Sequence, residues 1–308
     1  MIKNYILKLL ETMPRDLFHK DKPLDMDLII EGGAFNGSYV AGILYFLQEM
    51  ETKGMIKIHR ISGCSISTIA GLLYIIGRLD LWDELYSCGL YTFKRSGRFD
   101  AMGDILKIIS DVTDDDLYKS LNKRLFITYY DVKHCKQVVR CTYKSNSDVF
   151  ECILRSTYIP FIVDKNIARH GRYIDGQQPY FFKYKKNRKM LCVSLINLIN
   201  IGTITSTINV KNETNSTHRV LSGTLDIHNF FMTGTPTKMC CFKDQMPLLV
   251  SLQYKFKQLL MVVCGYVMYI LLYMTKHMGT NILSSFTVKA LRVVIEDVYR
   301  LFILHYCV

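Results

Sequence analysis

The stretch ISGCSIST, Ile61 to Thr68, decides the fold. Just before it, Ile56-Lys57-Ile58-His59-Arg60-Ile61 alternates apolar and polar residues as a strand does. Just after it, Thr68-Ile69-Ala70-Gly71-Leu72-Leu73-Tyr74 reads as a helix. A serine on a sharp strand-to-helix turn has the geometry of a hydrolase nucleophile, for which the usual spelling is G-x-S-x-G. Here Gly63 holds the first position and Ser65 the nucleophile's, while Ser67 stands where the last glycine would be. The same residues also fit an ordinary serine in a turn.

Working outward, Asp25 to Glu31 (DMDLIIE) reads as a short buried strand, followed by a loop over Gly32 to Gly37. A helix is expected from Ser38 to about Lys53, with Val40, Ile43, Leu44 and Leu47 at helical spacing and Gly54 ending it. Strand-helix-strand-helix predicts an α/β fold with parallel strands. Leu79 to about Leu125 reads as mainly helical, and Asp114-Asp115-Asp116 inside it suits the positive end of a helix. A calcium loop would need alternating oxygen ligands and a glycine, which this run lacks. Phe126 to Cys141 holds two β-rich runs around the turn Lys133–Lys136. Asp148 to Tyr158 is expected to be helical and closed by Pro160, and NIARHGRYIDG, Asn166 to Gly176, to form a hairpin. Met190 to Asn200 reads as a strand, Asn212 to His218 as a polar loop and Arg219 to Met232 as a helix.

With 308 residues, 49% hydrophobic and 21% charged, the chain has globular composition. Its formal net charge of +12 favours anionic partners. Nucleic acid is discounted, since no RNA-binding signature, zinc-finger spacing or basic heptad array is present. Ten scattered cysteines without a C-x-x-C spacing read as reduced thiols. The N-terminal stretch is too charged for a signal peptide, so the protein is not expected to be secreted. On the same ground the sequons at Asn212 and Asn215 read as chance matches. Four segments follow: an amphipathic helix and linker over 1–23, a catalytic domain over 24–189, a sheet-completing and helical extension over 190–250, and hydrophobic helices over 251–308. Gln258 to Thr275 carries no charge; at about 1.5 Å per residue it would reach roughly 27 Å, at the margin of a ~30 Å hydrocarbon core. It reads either as a single span or as a helix buried or lying at the interface. Ala290 to Val308 reads as an amphipathic helix, not a second span.

A serine hydroxyl is a weak nucleophile without a base beside it, and the oxyanion formed after attack needs preorganised N–H donors. The donor loop is EGGAFNG, Glu31 to Gly37, which leaves a strand and enters a helix as Ser65 does. A plain strand–helix turn or a phosphate loop is the rival reading, although a Walker loop would need a lysine where Ser38 stands. For the base there are two candidates. His218 or His228 would give a conventional Ser-Asp-His order. Asp175 in YIDGQQP sits at a strand end before Gly176, which can turn the chain away; the rival there is a common Asp-Gly turn.

Taken together, EGGAFNGSYVAGILYFL, RISGCSIST, STYIPFIVD and YIDG resemble the patatin-like phospholipases, over roughly Leu24 to Lys189. The motifs are similar to those of patatin-like proteins of large DNA viruses, which implies a viral protein acting inside a host cell. The family resemblance implies a three-layer α/β/α sandwich with a mainly parallel sheet and hydrolysis of lipid acyl esters, without metal or organic cofactor. It implies Ser65 as nucleophile, Asp175 as base and the amides of Gly32, Gly33 and Ala34 as oxyanion hole, with Asn36, Gly37, Gly63, Ser67 and Gly176 as motif support. The implied partners are a phospholipid or other acyl lipid and a membrane surface on the cytoplasmic side, the oligomeric state being open. The chain departs from the family's pattern at Ala34, where a third glycine is usual; a methyl there would resist a positive φ. Asn36 replaces a basic residue, Ser67 a glycine, and Gln177 a glycine or alanine. These departures motivate the rival expectation of a catalytically silent lipid- or partner-binding protein on the same scaffold. The basic run KYKKNRK, Lys183 to Lys189, is expected either to hold the site's mouth near anionic lipid or to be a solvated loop.

Overall fold

The computed structural model describes residues 2–14, 22–164, 166–176, 178–185, 187–196, 201–277 and 307. Helix α1 (Ile2–Glu11) buries Ile6 and Leu10, four apart on one face. Strand β1 (Leu24–Ile30) follows, then a 3-10 turn over Ala34–Asn36 and helix α2 (Gly37–Thr52). Strand β2 (Ile56–Cys64) runs three residues past the expected alternation, directly to Ser65, and helix α3 (Ile66–Ile75) leaves from it. The helical stretch resolves into α4 (Trp82–Ser96), α5 (Met102–Asp111) and α6 (Leu117–Leu121). Asp116 occupies the N-cap position of α6, but its carboxylate pairs with Lys119 instead of capping.

Strands β3 (Leu125–Asp131) and β4 (Lys136–Arg140) form the expected antiparallel hairpin, and α7 (Asn146–Ser156) begins with Ser145 capping the Asp148 amide. The hairpin expected over Asn166 to Gly176 reduces to a single bridge between Arg169 and Tyr173. Strand β5 (Tyr173–Asp175) instead pairs antiparallel with β3. Strand β6 (Lys189–Val193), α8 (Ile201–Thr205), α9 (Thr217–Thr233), β7 (Cys240–Phe242) and α10 (Leu248–His277) complete the described chain. The strand expected from Met190 to Asn200 ends already at Val193, since Ser194–Ile196 leave the ladder; 197–200 and the amphipathic helix expected over Ala290 to Val308 lie outside the described residues, Cys307 apart.

The sheet order is β4-β3-β2-β1-β6-β7, with β5 on β3. The inner pairs β6-β1, β1-β2 and β2-β3 are parallel, whereas β4, β5 and β7 join antiparallel. The protein is therefore α/β with a mixed sheet, which corrects the expectation of a mainly parallel one. The inner strands follow crossovers through helices, while β4 returns by a short turn, which forces antiparallel pairing. The 190–250 stretch shares this sheet, since β6 lies against β1.

The period of two sorts the sheet's side chains. Met26, Leu28 and Ile30 of β1, with Leu191 and Val193 of β6 and Ile127 and Tyr129 of β3, join the main core beneath α1–α7 and α9. Ile29, Cys192 and Tyr130 point the other way. That second face is covered by Tyr180–Phe182 and by one stripe of α10. The parallel strands thus end together at one edge, where the loops after β1 and β2 meet.

Candidate active site

Ser65 sits between β2 and α3 at φ 54°, ψ −136°, a conformation that side chains other than glycine resist. Such strain costs of order 1–3 kcal/mol and persists where the surroundings over-determine it. They do so here. The Ser65 amide donates to Ser156 Oγ (2.9 Å), and that hydroxyl donates to the Thr128 carbonyl (2.7 Å). The Ser65 carbonyl accepts from the Thr68 amide (3.0 Å) and from Thr68 Oγ1 (2.7 Å). A Cβ on Gly63 would lie 2.9 Å from the Ser67 carbonyl oxygen, so the elbow closes only around a glycine there. Ser67, in the place of the last glycine, is fully buried; its hydroxyl donates to the Glu31 carbonyl, the residue before the Gly-rich loop. The substituted serine therefore joins the two loops instead of prying them apart.

The Gly-rich loop lies directly against the elbow. A Cβ on Gly32 would stand 2.8 Å from Ser65 Cβ, and one on Gly37 would stand 2.7 Å from Ile66 Cγ1. This closeness redirects one expected donor. The Gly32 amide faces the neighbouring thiol and donates to Cys64 Sγ (3.1 Å). Burial, then the charges of Asp175 and Glu31, push the Cys64 thiol well up, so it stays a neutral, weak acceptor. For the Gly33 and Ala34 amides no acceptor is found among the described residues. Ala34 adopts φ 44°, the left-handed region that its methyl group disfavours by roughly 1–2 kcal/mol.

Asn36 turns away from this constellation. Its Nδ2 donates to Ser206 Oγ (3.2 Å) and to the Thr203 carbonyl (3.3 Å), while its Oδ1 accepts from Arg219. Arg219, on α9 and 2% exposed, is held by Glu213 and by the carbonyls of Ser206 (2.8 Å) and Asn209 (3.0 Å). Asn36 is thus a structural tie to α8 and α9, not a donor toward Ser65.

Asp175 ends β5 and is 8% exposed. Its amide donates to the Tyr158 carbonyl (2.8 Å), and it pairs with Tyr129, the residue after Thr128. Thr128 in turn pairs with Cys64 in the β2-β3 ladder. Two ladders therefore carry Asp175 to the end of β2 where Ser65 begins. A Cβ on Gly176 would be 2.2 Å from the Thr128 carbonyl oxygen, so only glycine can follow Asp175 at this approach. Gln177 lies outside the described residues.

A cleft of about 730 Å³, counted out to its open mouth, starts at Ser65 and Ala34 and runs between α3, α4 and α5. Its lining is almost wholly apolar, with Ile69, Leu85, Phe99, Met102 and Ile105 among it. Five histidines are engaged elsewhere: His218 with Glu213, His228 with Thr12, His59 with Asp25, His134 with Asp131 and His170 with Glu151. Within KYKKNRK, Arg188 pairs with the buried Asp27 and Lys189 with Asp244; Lys183 and Lys185 are exposed, and Lys186 lies outside the described residues.

Sequence reasoning gave no role to Ser156, although the run STYIP contains it, nor to Arg219 or to Lys257, which pairs with Glu31 (2.7 Å). Such partners come from distant elements, and no local pattern marks them. Ser65, Asp175 and the Gly33–Ala34 amides are brought to one sheet end beside an apolar cleft, an arrangement able to support acyl transfer. No family model matches this chain, and no curated protein matches it.

Proposed function

We propose that this protein is a serine hydrolase of lipid acyl esters, phospholipase A or lysophospholipase in type, on a patatin-like scaffold. The observation that carries the reading is Ser65, held at φ 54° where β2 meets α3, opening onto an apolar cleft beside two loop amides with no acceptor among the described residues. Gly33 is buried and Ala34 half-buried, so amides without acceptors among the described residues are costly there, and an oxyanion would satisfy them. In this reading the acyl chain lies along Ile69, Leu85 and Ile105, which places the ester carbonyl at Ser65. Ser65 Oγ attacks that carbonyl carbon while its proton passes to the Asp175 carboxylate. The Gly33 and Ala34 amides hold the negative oxygen. The C–O bond to the head-group side breaks, and the departing alkoxide takes the proton from Asp175. Water, deprotonated by Asp175, then attacks the acyl-serine; the bond from the acyl carbon to Ser65 Oγ breaks, Oγ takes the proton from Asp175, and the fatty acid is freed. A membrane surface on the cytoplasmic side supplies the substrate, consistent with the one described helix, Leu248–Met274, that is long and apolar enough to cross a bilayer.

Two observations favour a second reading, a silent lipid-binding protein: the Gly32 amide is spent on Cys64, and Ala34 holds a strained left-handed turn. One missing oxyanion donor typically costs about 2.7–4 kcal/mol, or two to three orders of magnitude in rate. Labelling by a fluorophosphonate probe separates the two. Hydrolase activity predicts labelling of the natural chain, loss in Ser65→Ala and a steep drop in Asp175→Asn. An unlabelled, well-folded natural chain would turn the assignment to lipid binding.

A further inference from the structure

Helix α10 shows two unlike faces along thirty residues. One stripe is docked. The Tyr254 carbonyl accepts from the buried Gln178 Nε2 (2.9 Å), and Lys257 Nζ donates to Glu31 Oε1 (2.7 Å) and to the Ile196 carbonyl (2.7 Å). A Cβ on Gly265 would lie 2.3 Å from the Tyr130 ring, and Met261, Met268 and Leu272 pack with Tyr130 and Ile174 on the sheet's second face. The steps 254, 257, 261, 265, 268 and 272 follow the helical repeat. The opposite face is open: Leu249, Leu252, Phe256, Val263, Tyr266 and Ile270 are each about half exposed or more.

We infer that α10 is an interfacial membrane helix, lying along an anionic bilayer with its docked stripe kept on the domain, and not a span. From Tyr254 to Leu272 the engaged stripe covers about 27 Å at ~1.5 Å per residue, nearly a full hydrocarbon thickness. A spanning α10 would have to carry the attached sheet and the Lys257–Glu31 pair into hydrocarbon, or abandon both. The open face matches lipid because it is long and apolar, carries tyrosines at 266, 269 and 273, and belongs to a helix without a single acidic residue. Cationic residues border the helix: exposed Lys255 stands on α10 itself, and others lie along its docked side. The Phe181 ring meets Tyr254 edge-on and leads into exposed Lys183 and Lys185, while exposed Lys133 sits in the 3-10 turn that α10 packs against. A second copy of the chain would bring the same cationic rim against itself. The inference is independent of catalysis: a silent Ser65 would leave it intact.

The full chain is tested by flotation with phosphatidylcholine vesicles, with and without phosphatidylserine. Tryptophans introduced at Leu252, Val263, Ile270 and Met261 are then read by bromine-labelled lipids that quench at shallow or deep positions. The natural chain's single tryptophan, Trp82, is buried and gives the background. Binding that needs phosphatidylserine, and falls roughly tenfold or more in K183E/K185E, is the expected result. Leu252→Trp, Val263→Trp and Ile270→Trp should be quenched at one shallow depth and Met261→Trp spared. Deepest quenching at mid-helix, with Met261→Trp quenched as strongly, would overturn the inference in favour of a span. Failure of the unaltered chain to float, with a doubled mass in light scattering, would overturn it in favour of self-association.

Discussion

The elbow at Ser65 and the helix α10 are built to opposite tolerances. At the elbow, backbone meets backbone: a single added methyl at Gly63 or Gly176 would fall 2.9 Å or 2.2 Å from a carbonyl oxygen. Along α10 one whole face is about half exposed, and the helix is held by the opposite stripe of contacts and a partly buried ion pair. The first region is specified from within, since each close approach excludes all but one residue type. The second is specified by its surroundings, because any large apolar residue fits an open face. Precision of packing therefore marks the candidate site, and open packing marks the outward face of α10.

The largest expected effect breaks the precise side. Gly176→Ala should destabilise the fold by about 3 kcal/mol or more, the upper range for overpacking, because the methyl meets the rigid Thr128 carbonyl. Chemical denaturation measures it, and an unchanged midpoint would mean that β5 does not approach β3 as closely as described. Next comes the tie between the two regions. Lys257→Met leaves the buried Glu31 without its counter-charge, though Ser194 Oγ and the Leu195 and Ile196 amides still donate to it, at a cost toward the lower end of roughly 3–5 kcal/mol. Adding Glu31→Gln should recover much of it, since the glutamine is neutral; failure of that rescue in thermal unfolding would deny the pair its role. The smallest effect concerns strain. Ala34→Gly should raise stability by a few tenths to about 1 kcal/mol, because glycine relieves the left-handed turn but loses more chain entropy on folding. In the hydrolase reading it should not lower probe labelling. A stability loss would show that the Ala34 methyl packs productively.

Much of the elbow was legible because its signals are local. The alternation over Ile56 to Ile61, the small residues around Ser65 and the helical period after it are consequences of backbone geometry that a short window contains. So are β1, α2 and α9. Asn36 shows the limit of local signals: its place in the Gly-rich loop marks it as motif support, but its amide is claimed by Thr203, Ser206 and Arg219, far along the chain. The Gly32 amide was likewise redirected by a contact between loops that no spacing rule describes.

By itself the sequence determined the α/β order of elements, the serine turn, the Asp-Gly pair and the long apolar helix, since these follow from residue type and period. Only the tertiary structure decided that the sheet is mixed, that Asp175 and Ser65 reach one sheet end through two strand ladders, and that α10 spends one stripe on the domain. Those outcomes depend on which distant groups meet, and hydrogen-bond partners and packing neighbours are chosen by the fold as a whole.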